Sequence, residues 1–405
     1  MLFFALVVLG STLQPAAATI LPRDTISNGG YIIYQDGGII ESFHPHDPFI
    51  PASTIKLLTA YTAIKELGAD YRFTTSFYLD AAGLLYIRGG GDPTLTTESL
   101  IEVARELKRR GVVRISGYVL DDHLFALEHA LPDGSENSAN PYDVANSGLA
   151  VNFNSIAIDK TRSGRILSGE EHTPTIPLAR VIGRQLKPGR HRVNIDAFVT
   201  PSSLPLPLQY TAELLHELLQ RQGVVCRANF RRGTVAGGAK PIYRHLSAPL
   251  TSIVRSCLAV SNNYIANQLA LTAGAHKYGA PATWGKARQV LTSYARNRMG
   301  VSPRELSVAE GSGLSRQTRI TPTAMLKILL AFAPYRDLLP TRHGAQLKSG
   351  TMTNVYCYAG YLDSDRGPLL FVVLLNQQTN TRRELLTHLA RQFAPSGTTS
   401  SGTGQ

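Results

Sequence analysis

The chain has 405 residues, 43% of them hydrophobic and 17% charged, enough apolar material for about two or three packed domains, which argues against a disordered or low-complexity protein. Its formal net charge is +12, yet no compact Lys/Arg run interleaved with aromatics marks a nucleic-acid site. The charge reads as diffuse, suited to an anionic envelope polymer or to peripheral association with a cell wall or membrane surface.

The start, 2–9, is an apolar run followed by Gly10, Ser11 and Pro15-Ala16-Ala17-Ala18. Small residues there suit a signal peptidase, so residues 1–18 read as a signal peptide and the protein as exported, periplasmic or otherwise extracytoplasmic. No Lys or Arg precedes the run, which leaves a buried N-terminal strand as the alternative. The run is too short to span a bilayer.

Two strands follow, 31–35 and 38–41, around an Asp36-Gly37 turn, and a largely apolar helix runs from near Ser53 to a stop at Gly68. From about 73 to about 243 the texture changes to short strands (84–87, 115–120), glycine-rich turns such as Gly89-Gly90-Gly91-Asp92-Pro93, and two helices near 98–110 and 208–222. Helical periodicity resumes at 251–258, 263–273, 282–298 and 322–332. Strands at 346–356 and 369–375 and a helix at 381–393 precede a Ser/Thr/Gly tail, 396–405, whose composition favours disorder. The expected architecture is α+β: a discontinuous domain, 19–74 with 245–395, interrupted by an insert at 75–244. Closing so long a loop adds little entropy.

Cys226, Cys257 and Cys357 form no Cys-x-x-Cys pair, so zinc is not expected; spacing leaves any pairing open, and apolar surroundings favour three buried thiols. His44 and His46 with Asp47 lie in a Pro45-broken stretch that suits an exposed loop better than a metal site. Gly89-Gly90-Gly91 lacks the Gly-Lys-Ser/Thr of a phosphate loop, and no cofactor is called for.

Three motifs carry the chemistry: Ser53-Thr54-Ile55-Lys56, Ser261-Asn262-Asn263 and Lys348-Ser349-Gly350. Ser and Lys three apart on a helix share a face, so Lys56 reaches the Ser53 hydroxyl, and burial beside a second cation, Lys348, would depress its pKa until it serves as a base. The helix start also offers the Ser53 N–H to an oxyanion. Ser-x-x-Lys alone is weak evidence, since about one copy is expected by chance in a chain this long. Ser261-Asn262-Asn263 reads either as a helix cap or as a proton carrier, Ser261, beside an orienting amide, Asn263. Lys348 is either an aggregation-blocking edge lysine or a carboxylate anchor on a strand where Gly350 admits a substrate backbone.

In this order the motifs resemble those of serine penicillin-recognising enzymes. The long gap between Ser53 and Ser261 is similar to that of the class C low-molecular-mass penicillin-binding proteins, the D-alanyl-D-alanine carboxypeptidases of peptidase family S13. Gly89–Leu95, Val151-Asn152-Phe153-Asn154-Ser155, Ser247-Ala248-Pro249-Leu250 and Gly311-Ser312-Gly313-Leu314-Ser315-Arg316 are also similar to that family. The resemblance implies a penicillin-binding-protein/β-lactamase-like fold with a large inserted α+β domain, and a serine carboxypeptidase, with endopeptidase action as a second expected activity, acting on peptidoglycan stem peptides and inhibited by β-lactams. It further implies acylation of Ser53, an oxyanion held by the N–H groups of Ser53 and Thr351, and a terminal carboxylate held by Lys348, Ser349 and Thr351. Asp143 and Arg316 correspond to positions near the stem peptide's diaminopimelate side chain. Asn262, Ser349 and Glu310 depart from the commoner Asp, Thr and Asp but keep hydrogen-bonding ability.

Two rival readings are a β-lactamase, for which no Glu-x-x-x-Asn deacylation loop is recognisable, and a catalytically silent envelope scaffold, which would be expected to lose Ser53 or Lys56 first. The lifetime of a penicillin adduct separates all three.

Overall fold

The computed structural model describes residues 20–393. The signal peptide expected at 1–18 and the tail expected at 396–405 lie outside the described residues.

A six-stranded antiparallel sheet brings the two ends of the chain together. In spatial order its strands are Thr341–Arg342, Ala345–Met352, Val355–Leu362, Leu369–Leu375, Gly29–Gln35 and Gly38–Phe43. Leu369–Leu375 is apolar at every position because both faces of the sheet are covered. Leu370, Val372 and Leu374 enter the main helical core, while Leu369, Phe371, Val373 and Leu375 pack with Leu385, Leu386 and Leu389 of the C-terminal helix Arg382–Phe393. The segment 346–356, expected as one strand, is a hairpin. Ala345–Met352 ends in a turn where Asn354 takes a φ of 60°, and Val355–Leu362 returns beside it. A single Asn, which tolerates the left-handed region, is a faint break in an otherwise strand-forming run.

The helical layer holds the helix Lys56–Leu67, buried from Lys56 to Ile64, and Asn263–Tyr278, buried from Tyr264 to Ala275. Leu250–Val260, Trp284–Met299 and Pro322–Phe332 complete it, each within a few residues of its expected place. Ser53 precedes the α-helix and sits in a 3-10 turn, Ala52–Ile55. That turn is clamped by two glycines. A Cβ at Gly350 would lie 2.5 Å from the Pro51 carbonyl oxygen, and one at Gly313 would lie 2.0 Å from that of Ala52. The space beside Gly350 is therefore filled by the protein's own Pro51–Ser53 turn, which corrects the expectation that this glycine admits substrate.

Residues 74–246 surround a core of their own. Its five-stranded sheet runs in the order Phe230–Arg232, Gly117–Asp121, Leu84–Arg88, Thr74–Leu79, Lys240–Leu246, covered by the expected helices Thr97–Arg109 and Leu206–Arg221. A third helix, Pro177–Gln185, and a three-stranded sheet of Ile166–Ser168, Ser155–Lys160 and Gly189–Asn194 were not anticipated, although Pro177 at the first helical position is a start signal. The first and last strands of this region pair with each other, Thr74 opposite Leu246, so the chain leaves and re-enters the first core at one point. Gln268 fastens the two parts: its Nε2 donates to the carbonyls of Gly91 (3.1 Å) and Ser147 (3.0 Å), and its Oε1 accepts from Asn146 (3.0 Å). All three cysteines are free. Cys257 and Cys357 are buried as expected, but Cys226 is half-buried on a two-residue strand. Among the described residues no helix is long and apolar enough to cross a membrane.

Gly313 and Gly344 share nearly the same φ, +79° and +78°, but a Cβ at Gly344 would meet nothing within 4 Å. Gly344→Ala should lose about 1 kcal/mol, the conformational effect alone, and Gly313→Ala about 3 kcal/mol or more. Equal losses in urea melts would show that the clamp on the Ser53 turn is not tight.

Candidate active site

Lys56 is 1% exposed, and its ammonium nitrogen sits among three oxygens: Ser53 Oγ at 2.9 Å, Asn263 Oδ1 at 2.7 Å and the Ser312 carbonyl at 2.6 Å. The other end of the Asn263 amide donates to the Tyr142 carbonyl (3.2 Å), which sets which atom faces the lysine. Carbonyl oxygens only accept. A neutral Lys56 amine therefore spends both N–H groups on Asn263 and Ser312 and turns its lone pair toward the one partner that has a proton to give, the Ser53 hydroxyl.

Burial pushes Lys56 down to about 8, while Cys257 and Glu310 act in the opposite sense. Burial is thus the main cause, as expected, and the repulsion between the two ammonium groups shows at Lys348, which is lowered to about 7, first by burial and then by the charge of Lys56. Lys348 is itself 1% exposed and donates to Ser261 Oγ (2.8 Å) and the Ser349 carbonyl (2.9 Å), so it is not a solvated edge lysine.

The segment Ser261-Asn262-Asn263 divides its work by residue. Asn262 caps the following helix, its Oδ1 accepting from the Ile265 N–H (2.9 Å), and Ser261, held in the left-handed region at φ 57°, presents its hydroxyl to Lys348. The Lys348 strand also keeps a free edge. Thr341–Arg342 pairs only with Ala345–Gln346, and from Lys348 onward no outer strand partner exists among the described residues. An extended peptide has room to add there.

A cavity of about 680 Å³ opens over these groups, lined by Ser53, Ser261, Asn263, Ser349 and Thr351 and, on the far wall, by Asp143 and Arg316. Asp143 is 1% exposed, and its carboxylate accepts from the backbone N–H groups of Glu136 (3.1 Å) and Ser138 (2.7 Å), which commits it to shaping its own loop. Arg316 is exposed and donates to the Thr353 carbonyl (2.6 Å).

Linear reading missed several participants. The Ser312 carbonyl has no side-chain signature. Its loop is held by fully buried Glu310, whose carboxylate accepts from the Ser312 N–H (2.7 Å) and hydroxyl (2.6 Å) and from the Ser315 N–H (3.2 Å). Arg382 donates to the Gly350 carbonyl (2.6 Å) and to Thr351 Oγ1 (2.8 Å), with its guanidinium 4.7 Å from the Tyr358 ring centre, and Arg342 lies 3.5 Å from Ser349 Oγ. No motif announces either arginine; both arrive through sheet and helix packing.

The solved structures share this architecture. Penicillin binding protein 4 (dacB) from Haemophilus influenzae matches with a TM-score of 0.75 at 21% identity, over 92% of this chain and 96% of that one. It has also been crystallised with a β-lactam. Bd3459, a predatory peptidoglycan endopeptidase from Bdellovibrio bacteriovorus, matches with a TM-score of 0.52 at 16% identity, over 91% and 90%. In sequence, a D-alanyl-D-alanine carboxypeptidase of Actinomadura sp. (strain R39) is 25% identical over 432 residues, covering 90% of this chain and 78% of that protein. The fold is thus the expected one, a penicillin-binding-protein-like α+β domain in two chain segments with a large insert. With its sequence matching the family model over residues 24–184 and 202–340, the chain belongs to the D-Ala-D-Ala carboxypeptidase 3 (S13) family.

Proposed function

We propose that the protein is a serine D-Ala-D-Ala carboxypeptidase that trims peptidoglycan stem peptides through an acyl-enzyme on Ser53. The observation that supports this most is the environment of Lys56, two fixed carbonyl acceptors and one hydroxyl, which suits an amine that removes the proton from Ser53. The nucleophile attacks the penultimate D-alanine carbonyl, and the oxyanion lies between the N–H groups of Ser53 and Thr351. Ser261, bonded to Lys348, hands a proton to the leaving amine as terminal D-alanine departs. Water then releases the shortened peptide. Lys348, Ser349 and Thr351 hold the terminal carboxylate, with Arg342 and Arg382 adding positive field beside them. Asp143, through its loop, and Arg316 border the space for the stem peptide's third residue.

In this reading residues 19–74 and 245–395 form the catalytic domain and 75–244 the insert. The site of action is extracytoplasmic, where peptidoglycan lies. β-Lactams, which present a strained amide and a carboxylate to the same groups, act as covalent inhibitors, in keeping with the β-lactam complex of the H. influenzae relative.

Incubation with benzylpenicillin followed by peptide mass analysis should find a long-lived adduct on the peptide containing Ser53, and Ser53→Ala should lose the adduct and at least about 10⁴-fold in D-alanine release. No adduct on the parent protein would end the proposal, and a rapidly hydrolysed one would favour a β-lactamase.

The pH dependence follows from the two lysines. Lys56 must be neutral to act as base and Lys348 charged to act as anchor, and they titrate at about 8 and about 7 respectively. Acylation should therefore rise as Lys56 loses its proton and fall as Lys348 loses its own, a bell with its maximum between those values. A rate still climbing at pH 10 would show that Lys348 carries no required charge.

A further inference from the structure

The strand Ala345–Met352 has two faces. Lys348 and Gly350 face the helical layer, whereas Ser349 and Thr351 stand opposite Tyr358 and Tyr356, on the face covered by the C-terminal helix Arg382–Phe393. Ser349 and Thr351 also border the cavity over Ser53, so each hydroxyl can be reached from two sides, by substrate and by the protein. What comes from the helix side is Arg382. Its guanidinium lies 4.7 Å from the Tyr358 ring centre and 5.8 Å from that of Tyr356, and one of its nitrogens donates both to the Gly350 carbonyl (2.6 Å) and to Thr351 Oγ1 (2.8 Å). Arg382 is the first residue of its helix, the end where the helix dipole disfavours a cation, so local helix stability does not account for it.

A guanidinium carries N–H donors and no acceptor, so any hydroxyl it touches must accept. Thr351 Oγ1 gives a lone pair to Arg382 and keeps its own hydrogen for the cavity side. Free of the arginine, the same hydroxyl would rotate and accept as readily as it donates. Arg342 approaches Ser349 Oγ in the same sense, at 3.5 Å, while another of its nitrogens is held by the Ala259 carbonyl (2.8 Å). Two hydroxyls on one strand are thereby turned into donors. A carboxylate, which only accepts, matches both; a carboxamide, whose nitrogen also donates, matches one and sets hydrogen against hydrogen at the other.

Resting on the acyl-enzyme reading above, we propose that Arg382 is a positioning residue that fixes the Thr351 hydroxyl as a donor, that Arg342 does the same for Ser349, and that the site thereby selects peptides ending in a free carboxylate over those ending in a carboxamide. Neither arginine needs to touch the substrate. The selection is made by hydroxyls that cannot turn round, and it comes from the clash that a carboxamide meets there. The Arg382 charge has a second effect. Lys348 is held down first by burial and then by Lys56, with Cys257 opposing, and after these by Arg342 and Arg382. Removing the Arg382 charge therefore raises the pKa of Lys348 and keeps that amine charged to higher pH.

The test uses the full chain and two stem-peptide analogues that differ only in ending as D-Ala-D-Ala carboxylate or D-Ala-D-Ala carboxamide. Arg382→Met, which keeps an apolar stem over the tyrosine rings, should lose about tenfold or more in kcat/KM for the carboxylate peptide, mainly through KM, while the carboxamide rate stays within about twofold. The alkaline limb of its pH profile should move to higher pH. Arg382→Lys, which is again a cation that only donates, should restore both the preference and the position of that limb. On a Thr351→Val background Arg382→Met should change the preference by less than about twofold, because the hydroxyl it acts through is gone. The inference is overturned if both peptides slow together, if the lysine variant behaves as the methionine one, or if the full Arg382 effect persists without the Thr351 hydroxyl. If Arg382→Met does not fold, as loss of a cooperative melt would show, Arg342→Met puts the same question at Ser349: a reduced preference for the carboxylate supports the inference and an unchanged one overturns it. Failure of the underlying reading looks different: the parent would neither form a penicillin adduct on Ser53 nor release D-alanine.

Discussion

A lysine kept out of water is the constraint on which the rest of this molecule depends. Lys56 meets Ser53 from its own turn, but its other two partners lie 207 and 256 residues further along the chain. An unpaired buried ammonium is strongly destabilising, so the fold must deliver Asn263 and the Ser312 carbonyl to within hydrogen-bond distance whenever Lys56 is buried. Gly350 and Gly313 then allow the Lys348 strand and the Gly311–Gly313 loop to press against the turn from two sides. Ser53 sits where three chain segments touch, and no one of them can shift without exposing or stranding the amine.

This arrangement explains why a large insert is tolerated between the first helix and the rest of the catalytic core. Its entering and leaving strands are paired neighbours, so the catalytic part sees it as a short connection. Yet it is not passive. The Tyr142 carbonyl takes the second hydrogen bond of the Asn263 amide, and Gln268, five residues along the same helix, is bonded to Gly91, Ser147 and Asn146. The amide that orients Lys56 is itself oriented by the insert.

Positive charge is concentrated on the other flank. Lys348, Arg342 and Arg382 converge on one strand edge, and the rings of Tyr356 and Tyr358 lie beneath the Arg382 guanidinium. Such a field favours an extended ligand ending in a carboxylate and also weakens the hold of Lys348 on its proton. Binding of an anion there relieves the repulsion and favours the charged form of Lys348.

The side chains of the candidate site were legible because their spacing and order along the chain carry chemistry: Ser53 and Lys56 three apart, Ser261 with Asn263, and Lys348 in a strand-forming run with Ser349 and Gly350. The amphipathic and apolar helices were legible for the same local reason, a 3.6-residue period, and the alternating turns and strands of the insert showed that a second core interrupts the first. What local pattern could not contain was any contribution made by backbone or by proximity. The Ser312 carbonyl has no side chain to recognise, the hairpin at Asn354 hid in a continuous strand-forming run, and the true use of Gly350 depended on what packs beside it. Arg342, Arg382 and Tyr142 reach the site only through sheet order and the docking of the insert. Sequence alone determined which functional groups were available and in what order. Tertiary structure decided their electrostatic state, because a pKa follows from burial and neighbours hundreds of residues away.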